Sequence, residues 1–323
     1  MRGQEGKGRR RTGSPPSRAG VSPEARATPE APAAARNVRR FNVRDMRRSL
    51  RDENSCLVSL GNYTVPPARC QRPGLEGLQS NEVVVAGGHR SPGRHKEEPL
   101  IYDSDYAADY ARLYITPWRR KHERNLANLR RVLEQLATGS RPVRWLDVAC
   151  GPAWHFAQLT GEIVRVGLDA SMAQLLSARA ANPQACFVCG DMAQSVLAPK
   201  SFDLITHFWA GYCYLDDEAR IAACLENMIR WTRPGGACYL EVLLPGDVAT
   251  FNASGYARTT GFRVFARTPD FIRWVYLDSG GRHEMMSPPL EFFTTAFRPA
   301  FSRIEAEHDG AFMVHLIATG RNG

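Results

Sequence analysis

The amino-acid sequence predicts an α/β protein in which a parallel sheet carries helices on both faces. Two observations lead to this fold class. Between residues 143 and 244, short apolar runs of strand character alternate with longer segments of helical periodicity. The first run ends in a turn of small residues, Ala149 to Ala153, that opens a helix. The alternation implies right-handed βαβ units, and such sheets bind ligands at the carboxyl ends of their strands.

The alternating segments give an expected order of elements. Strands are predicted at Val143–Val148, Ile163–Leu168, Ala185–Cys189, Phe202–Phe208 and Ala237–Leu244. Helices are predicted at Ala153–Thr160, Ser171–Ala181 and Asp216–Thr232, where Ser171 and one of Asp216 or Asp217 are the expected N-caps. A turn is predicted at Pro234–Gly236, and residues 101–136 have helical character with a break near Pro117.

After Pro245 the pattern changes to one that is typical of antiparallel structure. Strands predicted at Phe262–Ala266 and Phe271–Leu277 flank a turn at Thr268–Asp270. The expected closing elements are a helix at Pro288–Phe297 and strands at Phe301–Ala306 and Phe312–Thr319.

The charge of the chain is unevenly distributed. The whole sequence has a net charge of +9, but residues 1–95 alone carry +10 and residues 96–323 carry −1. Residues 1–38 are rich in Arg, Pro, Ala, Gly and Ser and lack periodic apolar residues, which predicts disorder. With a short basic helix at Asn37–Asp52 and no segment able to form a core, residues 1–98 are predicted to be a mostly disordered extension. We therefore place the folded domain at residues 99–323 and expect it to bind no nucleic acid.

Cysteine usage and hydropathy predict a cytoplasmic protein. The eight cysteines lie mostly within apolar runs at no framework-like spacing, which indicates reduced, buried thiols. The Cys186–Cys189 pair has neither a second pair nor histidines to complete a metal site, so no metal is expected. The sequence has no apolar run of about 18 residues and no signal-peptide pattern, so no membrane contact is expected either.

The run from Leu146 to Ala153 is the strongest functional signal, because its small residues let the backbone approach a ligand closely. A dinucleotide fingerprint would place glycine at positions 149, 151 and 154, but Trp154 is too large for the third position. A pyrophosphate also disfavours a carboxylate at the turn, whereas Asp147 suits a ligand with a cationic amine. An NAD-linked oxidoreductase is therefore the weaker interpretation.

Two further acids follow at the ends of the next two strands. Asp169 lies 18 residues after Gly151, close to the spacing at which an acid binds ribose hydroxyls. Asp191 ends the third strand, where a carboxylate can accept from an adenine amino group, and Met192 can pack on the ring. Each acid alone could be a helix cap, but three in succession predict a ligand site.

In combination these segments resemble the class I S-adenosylmethionine (SAM)-dependent methyltransferases, and within them the small-molecule N- and O-methyltransferases. The resemblance covers residues 101–319. It rests on Leu146–Ala153, Gly167–Ser171, Gly190–Met192, Phe202–Ile205 and Arg233–Gly236. It implies a Rossmann-like sheet of seven strands with the last strand inserted antiparallel, SAM as the cofactor, and methyl transfer to a small-molecule acceptor.

The resemblance also implies which residues hold the methionine and ribose parts of SAM. Asp147 and the backbone of Ala149 and Gly151 would hold the methionine part, and Asp169 would hold the ribose. Ala153 departs from the family pattern, in which glycine is common at this position. Its methyl group is therefore expected to crowd the cofactor.

Further roles follow for the adenine and the carboxylate of SAM. The resemblance implies that Asp191 and Met192 hold the adenine, and Met172 is a further candidate for binding the cofactor. It also implies that Tyr110 or Tyr114 of the helix before the first strand reaches the SAM carboxylate.

The segment after the fourth strand supplies the candidates for the acceptor site. His207 is the candidate general base, since methyl transfer needs one when the acceptor is protonated. Trp209, Tyr212 and Tyr214 would form the walls of the acceptor pocket, and Glu241 of the fifth strand would point into it. The antiparallel insertion at residues 261–278 would roof the pocket or serve only as a sheet face.

Two other functions stay open at this point. An RNA or protein methyltransferase would use residues 1–95 as a docking arm, although the Asn/Asp-Pro-Pro-Tyr signature of many adenine methylases is absent from the sequence. A SAM-fold protein that binds without catalysing would be expected to lose its acids, and the sequence retains them.

Overall fold

The computed structural model describes residues 83–85 and 111–323, except positions 216, 261, 271, 279 and 280. Most of the predicted N-terminal extension, including the basic helix, lies outside this range, but residues 83–85, which we placed in the extension, are described and form a strand of the main sheet. The prediction for Tyr110 also lies outside this range.

Within the described residues, the main sheet has eight strands. They are β1 (Val83–Val85), β2 (Val143–Val148), β3 (Ile163–Asp169), β4 (Cys186–Cys189), β5 (Phe202–His207), β6 (Thr232–Val242), β10 (Phe301–His308) and β11 (Val314–Arg321). Their spatial order is β1-β4-β3-β2-β5-β6-β11-β10. Strand β11 lies between β6 and β10 and runs antiparallel to both. The predicted seven-stranded sheet with an antiparallel last strand is therefore confirmed, and the short β1 is added parallel to β4.

A second, three-stranded antiparallel sheet is formed by β7 (Arg263–Arg267), β8 (Arg273–Asp278) and β9 (Gly281–Met286). The first two of these strands were expected from the sequence, but β9 was not. Its centre is Arg282-His283-Glu284, and the apolar side chains Met285 and Met286 come only at its end, so its sequence lacks a clear strand pattern.

The helices lie in the order that the alternation predicts. They are α1 (Arg119–Leu136), α2 (Trp154–Ala157), α3 (Met172–Ala181), α4 (Glu218–Trp231), α5 (Pro245–Ala253), α6 (Gly255–Thr260) and α7 (Leu290–Phe297), with a π-helical turn at Ala111–Ile115. The predicted caps are confirmed: Ser171 Oγ accepts from the backbone N–H of Gln174, and the Asp217 carboxylate accepts from that of Ala219. Helices α5 and α6 are not expected from the sequence.

The predicted turn at Pro234–Gly236 is instead the beginning of β6. The strand already starts at Thr232, and its pairing with β5 shifts register by a bulge near this point. Gly235 has a φ of +77°, and a Cβ added to Gly236 would lie 2.7 Å from the carbonyl oxygen of Asp203. The two glycines therefore serve the bulge rather than a chain reversal.

The core lies on both faces of the main sheet, because neighbouring residues of β2 point to opposite sides. Leu146 and Val148 belong to a cluster that includes α4 and α7, whereas Val143 and Trp145 belong to one that includes α1. Each fully buried aliphatic or aromatic side chain of this kind contributes roughly 1.5–3 kcal/mol. This packing fixes the strand ends that form the site. No helix in the described part of the chain is long and apolar enough to cross a membrane.

Candidate functional site

A cavity of about 490 Å³ lies at the carboxyl ends of the parallel strands, and this volume is typical of a small-molecule site. It has two parts. The adenosyl half lies at the ends of β2, β3 and β4; its lining includes Ala149, Gly151, Asp169, Gln174, Asp191 and Met192. The aromatic half lies beyond β5 and β6, under the small sheet; its lining includes Trp209, Phe251, Phe262, Trp274, Tyr276 and Met313.

The turn after β2 adopts a left-handed backbone at three closely spaced positions. The φ angles are +54° at Ala149, +51° at Gly151 and +51° at Ala153. Only glycine adopts this conformation without strain, so the two alanines are held there by the surrounding structure. Ala153 is fully buried and does not line the cavity, so its methyl group packs in the core rather than against the cavity space.

Asp169 ends β3 and faces the cavity with a carboxylate that the backbone already orients. Its Oδ2 accepts from the Gly151 N–H and its Oδ1 from the Ser171 N–H, both at 2.8 Å. Desolvation raises the pKa of Asp169, although these N–H groups lower it in part. Each carboxylate oxygen has about two acceptor positions, so both oxygens retain capacity for one more donor. This arrangement suits two neighbouring hydroxyl groups.

Asp191 and Met192 lie together on the wall beyond β4. One oxygen of Asp191 accepts from the Ala193 N–H at 2.9 Å, and the other pairs with Arg220 at 2.8 Å. Arg220 also lines the cavity. Arg220 could not be predicted from the sequence. It lies in the first turn of α4, and only the fold brings it next to Asp191.

Two of the residues expected to hold the cofactor, Asp147 and Met172, are not part of the cavity lining. Asp147 is buried beneath the turn, where the Thr206 hydroxyl donates to its Oδ1 at 2.6 Å. Burial raises the pKa of Asp147 to about 7, and the Thr206 bond lowers it in part. Met172 is the first residue of α3 and is half-buried. Asp147 therefore does not face a ligand directly and can affect one only by supporting the turn at Ala149–Ala153.

A second strained turn follows β5 and forms the floor between the two halves. Trp209 and Ala210 have φ angles of +57° and +47°. A Cβ added to Gly211 would lie 3.0 Å from the Cβ of Ala149 and 3.4 Å from the ring of His207. The two strained turns thus touch at Gly211, and only glycine allows this approach without displacement of a neighbour.

A buried ion pair supports this second turn. The Lys121 ammonium lies 2.5 Å from Oε2 of Glu241, and the same oxygen accepts from the Trp209 N–H at 2.8 Å. Lys121 also lies 3.9 Å above the Trp209 ring. Burial alone would raise the pKa of Glu241, but the charge of Lys121 lowers it below its ordinary value. Glu241 was expected to point into the acceptor pocket, but it lies behind the wall and holds Trp209.

His207 and Tyr212 also lie beneath the cavity rather than on its wall. His207 is fully buried, and its Nε2 accepts from the Tyr212 N–H at 2.7 Å. Burial lowers the pKa of His207 to about 4. Its Nε2 lone pair is already engaged, which argues against the predicted role as general base. Tyr212 is fully buried and donates toward the carbonyl of Leu243, so it supports the wall from behind.

The aromatic half is closed by contacts between the second turn and the small sheet. The hydroxyls of Tyr214 and Tyr276 lie 2.6 Å apart. On the other side of Tyr276, the His283 ring stacks parallel to it with centroids 4.3 Å apart. Two interpretations of the insertion at residues 261–278 are open from the sequence, a roof over the pocket or a sheet face. In the structure, residues of its strand β8 line the cavity.

Tyr114 lies in the π-helical turn and lines the cavity from the direction of α1. The carbonyl of Tyr114 is bound by Nε2 of His122 at 3.0 Å, and Nδ1 of His122 lies 3.3 Å from Nε2 of His155. Burial lowers the pKa of His122 to about 4. No pattern in the sequence indicates that these two histidines meet, since an entire strand separates them.

Comparison with known proteins identifies this arrangement. Residues 146–236 match the model of a family described as a methyltransferase domain. The matched segment contains both strained turns and the two acids that line the cavity. Over these residues the chain has a methyltransferase domain, and its motifs resemble those of the class I SAM-dependent methyltransferases.

Individual relatives of this methyltransferase are distant. The chain is 31% identical over 120 residues to the biotin biosynthesis bifunctional protein BioHC of Cellvibrio japonicus, which corresponds to 36% of this chain and 23% of that protein. It therefore spans about a quarter of that curated relative.

Solved structures provide a second comparison, and the first of them shares the fold. The PH0226 protein of Pyrococcus horikoshii has a TM-score of 0.50 at 16% identity over 66% of this chain and 99% of that chain. SAM-bound CalS10 of Micromonospora echinaspora, an amino pentose methyltransferase, has a TM-score of 0.47 at 22% identity over 69% and 100% of the two chains.

The adenosyl half of this methyltransferase fits SAM, as the sequence led us to expect. The Asp169 oxygens retain acceptor capacity on the cavity wall, the backbone at Gly151 is left-handed beside them, and Met192 offers an apolar face. Ala153, the one departure from the family pattern, is kept away from the cavity by its own backbone conformation.

Proposed function

We propose that the chain transfers the methyl group of SAM to a nitrogen or oxygen atom of a small-molecule acceptor. The observation that carries this proposal is the continuity of the cavity. One continuous cavity joins a half that suits an adenosyl ligand to an aromatic half that suits a second, smaller molecule. Both ligands would then be held face to face, which is most of what methyl transfer requires of a protein.

Within this proposal the roles of the lining residues follow from their positions. Asp169 would accept from both ribose hydroxyls, and Asp191 and Met192 would hold the adenine. The backbone of Ala149 and Gly151 would hold the methionine part, with Tyr114 above it. When bound, SAM supplies a methyl group on a positively charged sulfur, a good leaving group, so the apolar walls contribute mainly by orienting the acceptor and excluding water.

The size and charge of the site favour a small molecule over RNA or protein. The cavity volume of about 490 Å³ suits ligands of limited size, and residues 96–323 carry a net charge of −1. The docking role considered for residues 1–95 lies outside the described residues and stays a prediction.

The proposal is tested by calorimetric titration of the full-length chain with SAM, S-adenosylhomocysteine and NADH. We expect micromolar binding of both adenosyl ligands and none of NADH. Asp169→Ala should abolish this binding, whereas Asp217→Ala, at an exposed cap of α4, should leave it unchanged. NADH binding in place of the adenosyl ligands would overturn the proposal.

A further inference from the structure

The aromatic half of the cavity is lined almost entirely by apolar and aromatic side chains. Phe251, Phe262, Trp274, Met285 and Met313 contribute most of its wall. Among the described residues that line this half, none is Asp, Glu, Lys, Arg or His. The polar side-chain groups of this half are phenolic hydroxyls, the indole N–H groups of Trp209 and Trp274, and the thiol of Cys213.

The charged groups nearest to this half are engaged elsewhere or lie behind its wall. Glu241 is paired with Lys121 and with the backbone of Trp209. His207 lies beneath Gly211 and is bonded to the Tyr212 N–H. The His283 ring stacks on Tyr276 and lies edge-on to Tyr214, and it is not part of the cavity lining. Among the described lining residues of this half, neither a carboxylate nor an imidazole therefore faces a ligand.

This composition excludes some acceptors and favours others. A protonated amine would be buried without a counter-charge in this half, and its few polar groups cannot replace all the hydrogen bonds that the several hydroxyls of a sugar make to water. A planar ring, by contrast, extends contacts that the wall already makes. Trp274 and Tyr276 stack with centroids 5.6 Å apart, and Phe262 lies 4.4 Å from Tyr276.

The same composition bears on the atom that is methylated. An oxygen acceptor of ordinary acidity needs a base, and none of the described lining residues of this half is poised to be one. Burial raises the pKa of Cys213 to about 12, and its sulfur lies 3.5 Å from Ser287 Oγ. An uncharged nitrogen needs no base, because its lone pair is available at neutral pH.

We infer that the acceptor is an apolar, ring-bearing molecule that presents an uncharged nitrogen to the methyl donor. This inference rests on the proposed function. The nitrogen lone pair forms the new bond to the methyl carbon while the carbon–sulfur bond breaks. S-adenosylhomocysteine leaves with that electron pair, and the methylated nitrogen loses one proton to water.

The first experiment compares three probes on the full-length chain saturated with S-adenosylhomocysteine: 1-aminonaphthalene, 1-naphthol and D-glucosamine. We expect both naphthyl probes to bind, as followed by their fluorescence, and glucosamine to bind at least 100-fold more weakly. With radiolabelled SAM, methyl transfer to 1-aminonaphthalene should be at least tenfold faster than transfer to 1-naphthol.

Variants locate the binding. Trp274→Ala should weaken 1-aminonaphthalene binding at least tenfold and change S-adenosylhomocysteine binding less than twofold. Met285→Trp fills the aromatic half rather than emptying it, and should have the same effect if Trp274→Ala fails to fold. Met192→Ala, in the adenosyl half, is the matched control. It should weaken S-adenosylhomocysteine binding at least tenfold and change 1-aminonaphthalene binding less than twofold.

The outcomes separate this inference from the proposed function. If S-adenosylhomocysteine binds but the naphthyl probes do not, or glucosamine binds as tightly, the inference is overturned and the proposed function stands. Naphthyl binding without methylation of the amine, or faster methylation of 1-naphthol, overturns the nitrogen assignment. If S-adenosylhomocysteine itself does not bind, the proposed function fails and the inference fails with it.

Discussion

The ammonium nitrogen of Lys121 lies 2.5 Å from Oε2 of Glu241, and both side chains are almost fully shielded from solvent. The pair joins α1 to the centre of the sheet and also fixes the backbone of Trp209 on the cavity floor. A charge pair in this position stabilises the fold only while both partners are present, because either one alone would be a buried, uncompensated charge.

Removing one partner of this pair should therefore be costly. We expect Lys121→Met or Glu241→Gln to lower the free energy of unfolding by about 3–5 kcal/mol. The double variant should recover most of that loss, because no charge is then left unpaired. Urea denaturation of the three variants measures this coupling.

The surface pair Arg119–Glu123, at 2.9 Å, is the matched control on the same helix. Arg119→Ala should change the free energy of unfolding by no more than about 1 kcal/mol. If Lys121→Met is no more destabilising than Arg119→Ala, the buried pair does not have the role that we assign to it.

The buried carboxyl of Asp147 should make stability depend on pH. Burial raises its pKa to about 7, so the folded protein keeps this proton at pH values where the unfolded chain has already lost it. The favourable contribution is complete below about pH 4 and is lost as the pH rises toward 7. Asp147→Asn removes this dependence.

The measurement is the free energy of unfolding of Asp147→Asn relative to the unsubstituted protein at pH 5 and pH 8. From pH 5 to pH 8 the unsubstituted protein should lose about 2–3 kcal/mol of unfolding free energy that the variant does not lose. A difference that stays constant with pH would show that Asp147 is ionised in the folded protein throughout this range.

Gly167 in β3 should tolerate no side chain. A Cβ at this position would lie 2.7 Å from the sulfur of Cys150 and 2.8 Å from the ring of Phe187, so neighbours in the core must shift. We expect Gly167→Ala to lower the free energy of unfolding by about 1–3 kcal/mol. Gly139→Ala is the control, since nothing lies within 4 Å of its added Cβ; equal effects of the two substitutions on thermal unfolding would contradict the prediction.

Replacement of His207 should separate a structural role from a catalytic one. His207→Gln keeps an acceptor for the Tyr212 N–H, so we expect kcat to change less than about tenfold with any acceptor that the protein methylates. Loss of a general base would instead reduce kcat by roughly 100-fold to 10,000-fold. Burial lowers the pKa of His207 to about 4, so His207 should not titrate between pH 6 and 8. The pH–rate profiles of the variant and the unsubstituted protein should therefore have the same shape in this range.

The sequence predicts the adenosyl half well because that half depends on local chemistry. Asp169 and Asp191 each follow directly from a strand, and the strand order of a parallel sheet brings such ends together. Gly151 is recognisable for the same reason, since a tight turn between a strand and a helix leaves a clear pattern of small residues.

The aromatic half is far less predictable. Phe251 comes from a helix that the sequence does not reveal, and Met285 from a strand with a polar centre. Glu241 was a wrong prediction of this kind. Its position in a strand suggested that it points into the pocket, but in the fold its carboxylate pairs with Lys121, which lies 120 positions earlier in the sequence. Pairings over such distances leave no trace in local periodicity.

The four alanine and tryptophan residues with a left-handed backbone around the cavity, Ala149, Ala153, Trp209 and Ala210, have a practical consequence for protein engineering. Each such residue costs of the order of 1 kcal/mol of folding free energy, which glycine would not lose in the folded state. Glycine would also increase the entropy of the unfolded chain, so the net gain from any one replacement is small. Ala153 is the one of the four whose replacement would leave the cavity lining unchanged, although the loss of its buried methyl group offsets part of the gain.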